Sequence, residues 1–258
     1  MNVIDLMVNG FSKIFKGEKI AVKHILLIII TAFVSISSVY LDRASEALKT
    51  TKQMPDMNLF LIALAVLIIF GIYMAGYNLI FSHNAFDKDN PQGIMPEIDI
   101  KPFKVFWNAL PLMICWTFYI FTSVILSCFI IATNTFMKIF GIALLLFVLM
   151  FCAFAQFVYI EYSKNYDKNG LYNITLPFQY LKKTFSEFVL LGLLFIPVYG
   201  IAMMPSFFAG IILALAGIKD ISIAMFVGGI LGGYFTFLVQ IVWYYSLVQI
   251  YKEKIISC

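Results

Sequence analysis

Charged side chains are scarce in this chain, since only 12% of its 258 residues are Asp, Glu, Lys or Arg. Hydrophobic residues make up 62%, and the mean hydropathy is +0.93. One soluble domain of this length cannot bury so much apolar surface in its core. The composition therefore excludes a soluble globular protein and predicts one whose solvent is lipid.

Cysteine is also rare, with only four residues in the chain. Cys115, Cys128 and Cys152 lie within apolar runs, and Cys258 is the last residue. This placement favours small buried side chains and one free terminal thiol. A disulfide framework is not expected.

The usual motifs of catalytic sites are missing too. The chain has no P-loop, no Gly-rich dinucleotide fingerprint, no HExxH and no G-x-S-x-G. Its two histidines, His24 and His83, stand at the edges of apolar runs, and His83 has only Asp87 at i+4 as a second metal ligand. We therefore expect no enzyme, no catalytic or metal-binding residue and no cofactor.

One acidic pair interrupts the longest polar stretch, between two prolines. Glu97 and Asp99 could form a paired-carboxylate site, but Lys101 and Lys104 follow at once. Such a mixture is more typical of a loop that is oriented at lipid head groups. We expect this structural role for the pair.

What the sequence does contain is six apolar runs long enough to cross about 30 Å of hydrocarbon, which takes about 20 residues. They lack the alternation of barrel strands, and lipid cannot satisfy open backbone groups, so each is predicted to be a helix. The predicted spans are 24–41, 57–82, 103–133, 136–162, 187–217 and 221–251. The expected fold is one all-α integral membrane domain over residues 1–258.

Lysine and arginine are unevenly divided between alternate loops. Thirteen lie in the N-terminal segment, the second and fourth loops and the tail, namely Lys13, Lys16, Lys19, Lys23, Lys88, Lys101, Lys104, Lys164, Lys168, Lys182, Lys183, Lys252 and Lys254. The other five are Arg43, Lys49, Lys52, Lys138 and Lys219. The positive-inside rule then predicts that both termini lie in the cytoplasm. The expected location is the plasma membrane. The net charge of +4 would meet anionic lipids, so lipid rather than nucleic acid is the expected partner.

A repeat divides the chain into three units, approximately 1–86, 87–167 and 168–258. Each unit begins with interleaved Phe and Lys, in segments 11–23, 102–108 and 177–186, before its first apolar run. Each ends with Tyr, further aromatics and charge, at Tyr77, Tyr159 and Tyr245. The pattern predicts three helical hairpins whose lead-in segments are short amphipathic helices at the cytoplasmic surface.

The junction between the first two units resembles a known family of bacterial and archaeal membrane proteins, the domain of unknown function 4013. The resemblance covers about 35 residues and is carried by Gly76, Tyr77, Pro96, Glu97, Asp99, Phe103 and Phe106. Where that family usually has a glycine, this chain has Asn108 or Ala109. The resemblance implies a multi-helix membrane protein and no particular reaction.

Polar residues within the apolar runs are the candidate functional positions. Gln156 and Gln240 are 84 residues apart and nearly equivalent in the second and third units, and Asn108 lies near the start of the third span. Such side chains either hydrogen-bond between helices or face a hydrated path. We expect hydrogen bonding, because no Asp, Glu, Lys or Arg lies near the middle of a span.

The sixth span contains two overlapping G-x-x-x-G pairs, Gly228 with Gly232 and Gly229 with Gly233. Small residues at this spacing allow another helix to approach closely. Packing within the chain is the favoured interpretation, and a homodimer or another membrane-protein partner is the alternative.

Two functions from different classes remain. One is a non-enzymatic module that organises lipid or partner proteins through its cytoplasmic rim, which is rich in Lys, Phe and Tyr. The other is a transporter or facilitator subunit with a path between the hairpins. We expect the first, since the predicted interior has no titratable group.

Overall fold

A computed structural model describes residues 2–50, 56–87, 93–131, 134–168, 171–218 and 220–256. These residues form seven α-helices, a terminal π-helical turn and no strand. The helices are α1 (Val3–Ile14), α2 (Ile20–Thr50), α3 (Met57–Phe86), α4 (Lys101–Ile131), α5 (Thr135–Asn165), α6 (Leu176–Leu215) and α7 (Ile221–Tyr251), and the π-turn is Lys252–Ile256. The all-helical fold class is confirmed.

Six of these helices, α2 to α7, are long and apolar enough to cross a membrane. Each of these helices covers all or nearly all of one predicted span. The largest difference is in α6, which begins at Leu176 and not at 187, because its amphipathic lead-in is already helical. Pro111, Pro197 and Pro205 lie inside α4 and α6, which are each assigned as one continuous helix.

Contacts between helix termini distinguish two ends of the bundle. At the end that contains α1, the starts of α2, α4 and α6 lie beside the ends of α3, α5 and α7. We call this the α1 end, and His83 of α3 marks it by bonding the Ser163 carbonyl of α5. At the opposite end, Arg43 of α2 bonds Asp220, which caps α7. Helix α7 occupies the centre, because it contacts α1, α2, α3, α5 and α6.

The predicted lead-in helices differ from the observed elements. Segments 102–108 and 177–186 are the first turns of α4 and α6, and they are not separate helices. Segment 11–23 is interrupted between Ile14 and Ile20, where Lys19 has a positive φ. Only α1 is a separate short helix. Pro102 and Pro177 stand in the first turn of α4 and α6, where no backbone donor is needed, so each suits the start of the longer helix.

Helix α1 packs against the bundle along one face. Its buried residues are Val3, Leu6, Met7, Gly10 and Ile14. The contact with α7 is tight at Gly10, where a Cβ would lie 2.9 Å from a methyl group of Val242. On the outer face, Ile4 and Val8 remain exposed. Helix α1 is therefore apolar on both faces near its start.

Candidate functional site

Three of the cavities between the long helices share Gln240 as a lining residue. The first has a volume of about 520 Å³ and is bounded mainly by α2, α3 and α7. Helix α2 gives it a polar stripe at helical spacing, formed by Thr31, Ser35, Ser38 and Asp42. Asp42 is the one charged residue among the described residues that line this cavity, and because it is exposed it lies toward the rim at the opposite end.

The second cavity, of about 430 Å³, lies closer to the α1 end and is bounded by α3, α4, α5 and α7. Each of these helices gives it at least one polar residue, namely Asn78 and Ser82 from α3, Thr117 from α4, Tyr159 from α5, and Gln240 and Tyr244 from α7. Gly71 and Met74 line both the first and second cavities. Together the two extend along α3 from Leu67 to Ser82, which is about 22 Å at 1.5 Å per residue.

The third cavity, of about 360 Å³, separates α5, α6 and α7. Gln156 and Gln240 both line it. The Gln156 Oε1 accepts a hydrogen bond of 2.7 Å from the indole nitrogen of Trp243, which satisfies part of that amide. Gln240 also lines the first and second cavities, so its side chain lies where all three meet.

The structure thus brings together two of the three predicted polar positions. Gln156 and Gln240 lie on facing helices and border one cavity. Asn108 is exposed on the outer surface of α4 and borders none of the three cavities. The Asn108 candidate therefore stays a prediction, and its exposed side chain lies apart from the cavities that Gln156 and Gln240 border.

The four glycines of α7 face two neighbouring helices of the same chain. A Cβ at Gly228 or Gly232 would contact Ser206 of α6, at 2.8 and 3.3 Å. On the adjacent face, a Cβ at Gly229 would overlap the Ser35 hydroxyl of α2, and one at Gly233 would lie 3.7 Å from Thr31. The small side chains therefore allow α7 to pack against α6 and α2 simultaneously.

One polar residue that the sequence reasoning overlooked lies at the second cavity. Asn78 is only 8% exposed, and its side-chain oxygen is buried with no hydrogen-bond partner among the described residues. The neighbouring Ser82 hydroxyl donates 2.8 Å to the Asn78 backbone carbonyl and does not engage this amide. The signal was available, since Asn78 stands within the apolar run of α3 directly after the Gly-Tyr pair.

The segment that follows α3 folds back into the bundle. Met95 is 1% exposed, and its carbonyl accepts a hydrogen bond of 2.6 Å from the Lys23 ammonium. The Tyr77 hydroxyl donates to the Pro96 carbonyl at 3.4 Å, and the Asn84 amide donates to the Ile94 carbonyl at 3.2 Å. This segment, 93–96, is therefore a buried wedge at the α1 end and more than a joint between helices.

The acidic pair beside the wedge has a structural role. The Asp99 carboxylate accepts a hydrogen bond of 2.8 Å from the backbone nitrogen of Lys101, at the start of α4. Its other oxygen lies 3.7 Å from the Lys101 ammonium. Glu97 is exposed. This geometry starts a helix. Both acidic residues also border a small cavity of about 110 Å³, which Lys23 and Lys101 line as well.

Both histidines are engaged in packing contacts. His24 Nε2 lies 3.1 Å from the Ile14 carbonyl and Nδ1 lies 2.8 Å from the Tyr234 hydroxyl, so the ring links α1, α2 and α7. His83 Nδ1 lies 2.8 Å from the Ser163 carbonyl at the end of α5. Among the described residues, no group of three or more His, Cys, Asp and Glu side chains could hold a metal ion.

Glu161 joins three helices at the α1 end. Its Oε2 accepts hydrogen bonds from the hydroxyls of Tyr180 on α6 and Tyr251 on α7. Lys164 and Lys183 line the adjacent cavity, of about 420 Å³. The carboxylate therefore acts as a structural acceptor near the bundle end.

Comparison of the chain with protein-family models, curated proteins and solved structures finds no match. The resemblance to the domain of unknown function 4013 thus stays a prediction. The class that the fold defines is an all-helical protein with six helices able to cross a membrane.

Proposed function

We propose that the chain is a multi-pass protein of the plasma membrane with six spans. The lengths and hydropathies of α2 to α7 support this. An even number of spans puts both termini on one side, and the split of thirteen to five basic residues favours the cytoplasm. Under this arrangement the α1 end is cytoplasmic.

The three-hairpin arrangement is part of this proposal. Contacts between α2 and α3, α4 and α5, and α6 and α7 support it. Helix α1 and the first turns of α4 and α6 would then lie near the cytoplasmic head groups. The exposed Ile4 and Val8 on α1, with Lys13 in its last turn, suit that interface.

The function that the geometry supports best is that of a facilitator, a protein that lets a small solute cross without coupling to an ion. This was the alternative of the two sequence hypotheses. One observation carries it, namely that Gln240 borders all three cavities and shares one of them with Gln156. Each amide also has a protein partner, since Gln156 accepts from the Trp243 indole and Gln240 hydrogen-bonds the Tyr244 side chain. The shared cavities, and not an unpaired amide, therefore support the proposal.

The lining also favours uncoupled transport. Among the described residues that border the second and third cavities, none is Asp, Glu, Lys, Arg or His. Asp42 borders only the first cavity, near its rim. Ion-coupled carriers commonly use a charged group near the membrane midplane. The proposed path is therefore that of a non-enzymatic, uncoupled facilitator.

A membrane-organising module is the second candidate. It is favoured by the outward apolar face of α1, which lies beside lysines and suits contact with lipid or a partner protein. This candidate requires no aqueous access to the bundle interior, so one experiment separates the two.

The experiment uses single-cysteine variants in a background without native cysteines. Gln156→Cys and Gln240→Cys are treated with a membrane-impermeant thiol reagent from each face. Leu193→Cys is the matched control, because Leu193 is 60% exposed and directly follows the cavity-lining Gly192 on α6. Labelling at 156 and 240 with silence at 193 supports the facilitator. Silence at all three positions would favour the organising module.

A further inference from the structure

The second cavity carries unsatisfied hydrogen-bonding capacity in a region that the proposed topology places at hydrocarbon depth. The Asn78 oxygen is buried and has no partner among the described residues. Asn78 lines the cavity, as do Thr117 and Tyr159. This oxygen can accept a hydrogen bond from a donor that a ligand supplies.

Such groups are costly unless something satisfies them. A buried donor or acceptor without a partner costs about 1–3 kcal/mol, and lipid tails offer no hydrogen bonds. Asn78, Thr117, Tyr159 and Gln240 approach one space from four different helices. Convergent polar groups in an otherwise apolar cavity of this size are typical of a ligand site.

The lining also indicates the charge of the ligand. No ionisable carboxylate, amine, guanidinium or imidazole is among the described residues that border this cavity. A bound ion would have no countercharge, and its desolvation would not be repaid. A neutral molecule with hydroxyl or amide groups can both donate to Asn78 and accept from the tyrosine and threonine hydroxyls.

From these observations we propose that the cavity bordered by Asn78, Thr117, Tyr159 and Gln240 recognises a small uncharged polar solute, of the polyol or amide class, with Asn78 as the specificity-determining residue. This rests on the proposed facilitator function and names its substrate class. Solute entering the bundle exchanges its water hydrogen bonds for those of the cavity, so charged solutes are excluded while neutral ones are admitted.

The test measures solute flux into proteoliposomes by light scattering, with glycerol and urea as neutral probes and potassium chloride as the charged probe. Asn78→Leu removes the polar atoms at similar volume. Asn108→Leu is the matched control, because it makes the same change at an exposed position outside the cavities. We expect glycerol and urea flux above that of empty vesicles, negligible salt flux, and about a tenfold loss in Asn78→Leu, equivalent to one hydrogen bond. Asn108→Leu should match wild type.

Folding does not confound this comparison. The Asn78 side-chain oxygen makes no hydrogen bond that leucine would break, so we expect thermal stability equal to or higher than that of wild type. Tyr159→Phe is a second variant of the same shape, and we expect it to lower neutral flux while the protein stays folded.

Three outcomes would overturn the inference. Equal flux in Asn78→Leu and wild type would remove Asn78 from recognition. Salt flux as fast as urea flux would contradict selection of neutral solutes. Labelling of Gln240→Cys by the thiol reagent, with no flux of glycerol or urea, would show that water enters the pocket but that the pocket recognises neither solute class. The facilitator itself fails separately, when Gln156→Cys and Gln240→Cys are both unlabelled and no probe crosses.

Discussion

Helices α3 and α4 approach closely at Gly76, and its replacement by alanine is a sharp perturbation. A Cβ there would overlap the Pro102 carbonyl oxygen and lie 2.6 Å from its carbonyl carbon. Both atoms belong to the backbone of α4 near its start, so no side chain can rotate away. Relief requires α3 and α4 to separate, which would also loosen the wedge that Tyr77 holds at Pro96.

The magnitude follows from two opposing effects. Overpacking of this kind costs about 1–3 kcal/mol and sometimes more. Alanine is intrinsically favoured over glycine in a helix by about 0.5–1 kcal/mol, which offsets part of the cost. We therefore expect Gly76→Ala to destabilise the protein by about 1–2 kcal/mol. For a domain of this size that lowers Tm by several degrees, about 2–4 °C per kcal/mol.

Gly71→Ala provides the matched control on the same helix. No heavy atom lies within 4 Å of a Cβ built there, so only the favourable helix propensity remains. Thermal unfolding of both purified variants in one detergent measures the contrast. A Tm for Gly76→Ala at or above that of Gly71→Ala would refute the proposed contact between α3 and the Pro102 backbone.

Three further predictions concern other contacts. Lys23→Met removes the 2.6 Å hydrogen bond to the Met95 carbonyl and should lower the free energy of unfolding by about 1–3 kcal/mol. Lys16→Met, at an exposed position, should leave it unchanged. Equal Tm values for the two variants would contradict the buried wedge. Gly229→Ala should lower the Tm, because its methyl group would overlap Ser35. Gly200→Ala is the control and should not lower it, since no heavy atom lies within 4 Å of a Cβ there. A lower Tm for Gly200→Ala than for Gly229→Ala would count against the packing of α2 on α7. The Ser222 backbone N–H, with help from Arg43, lowers the pKa of Asp220 at the start of α7. The ionised Asp220 carboxylate therefore stabilises the fold fully above the unfolded pKa of about 3.9. This stabilisation is lost as the pH falls through the lower pKa of the folded state. Asp220→Asn should therefore show a weaker acid dependence of Tm below about pH 4 than wild type, and identical acid dependence would disprove the role of this cap.

The helices were predictable from the sequence because each apolar run has to form its hydrogen bonds internally. The lead-in segments were harder to place. A proline in the first turn suits the start of a helix, but it does not reveal whether that helix stops before the apolar run or continues into it. Composition therefore could not predict that 102–108 is part of α4. Lys52, Lys88 and Lys219, which the charge split counts among the loop residues, lie outside the described residues.

The candidate site was predictable in part. Amide side chains within apolar runs singled out Gln156 and Gln240, and their shared cavity depends on how α5 and α7 rotate about their axes. The same reasoning chose Asn108 and missed Asn78, because polarity in an apolar run does not reveal which face of the helix turns inward. The wedge at Met95 depends on long-range contacts with Lys23 and Tyr77, which no local pattern encodes.

The most direct test of the central claim, a solute path through the point where the three cavities meet, is to block that point. Gln240→Trp places a large side chain where all three cavities share a lining residue, and Leu193→Trp places the same side chain on the outward face of α6. Urea flux is measured in proteoliposomes that contain equal amounts of each folded variant. The account predicts that flux falls to the empty-vesicle rate in Gln240→Trp and stays at the wild-type rate in Leu193→Trp. Wild-type flux through Gln240→Trp would contradict it.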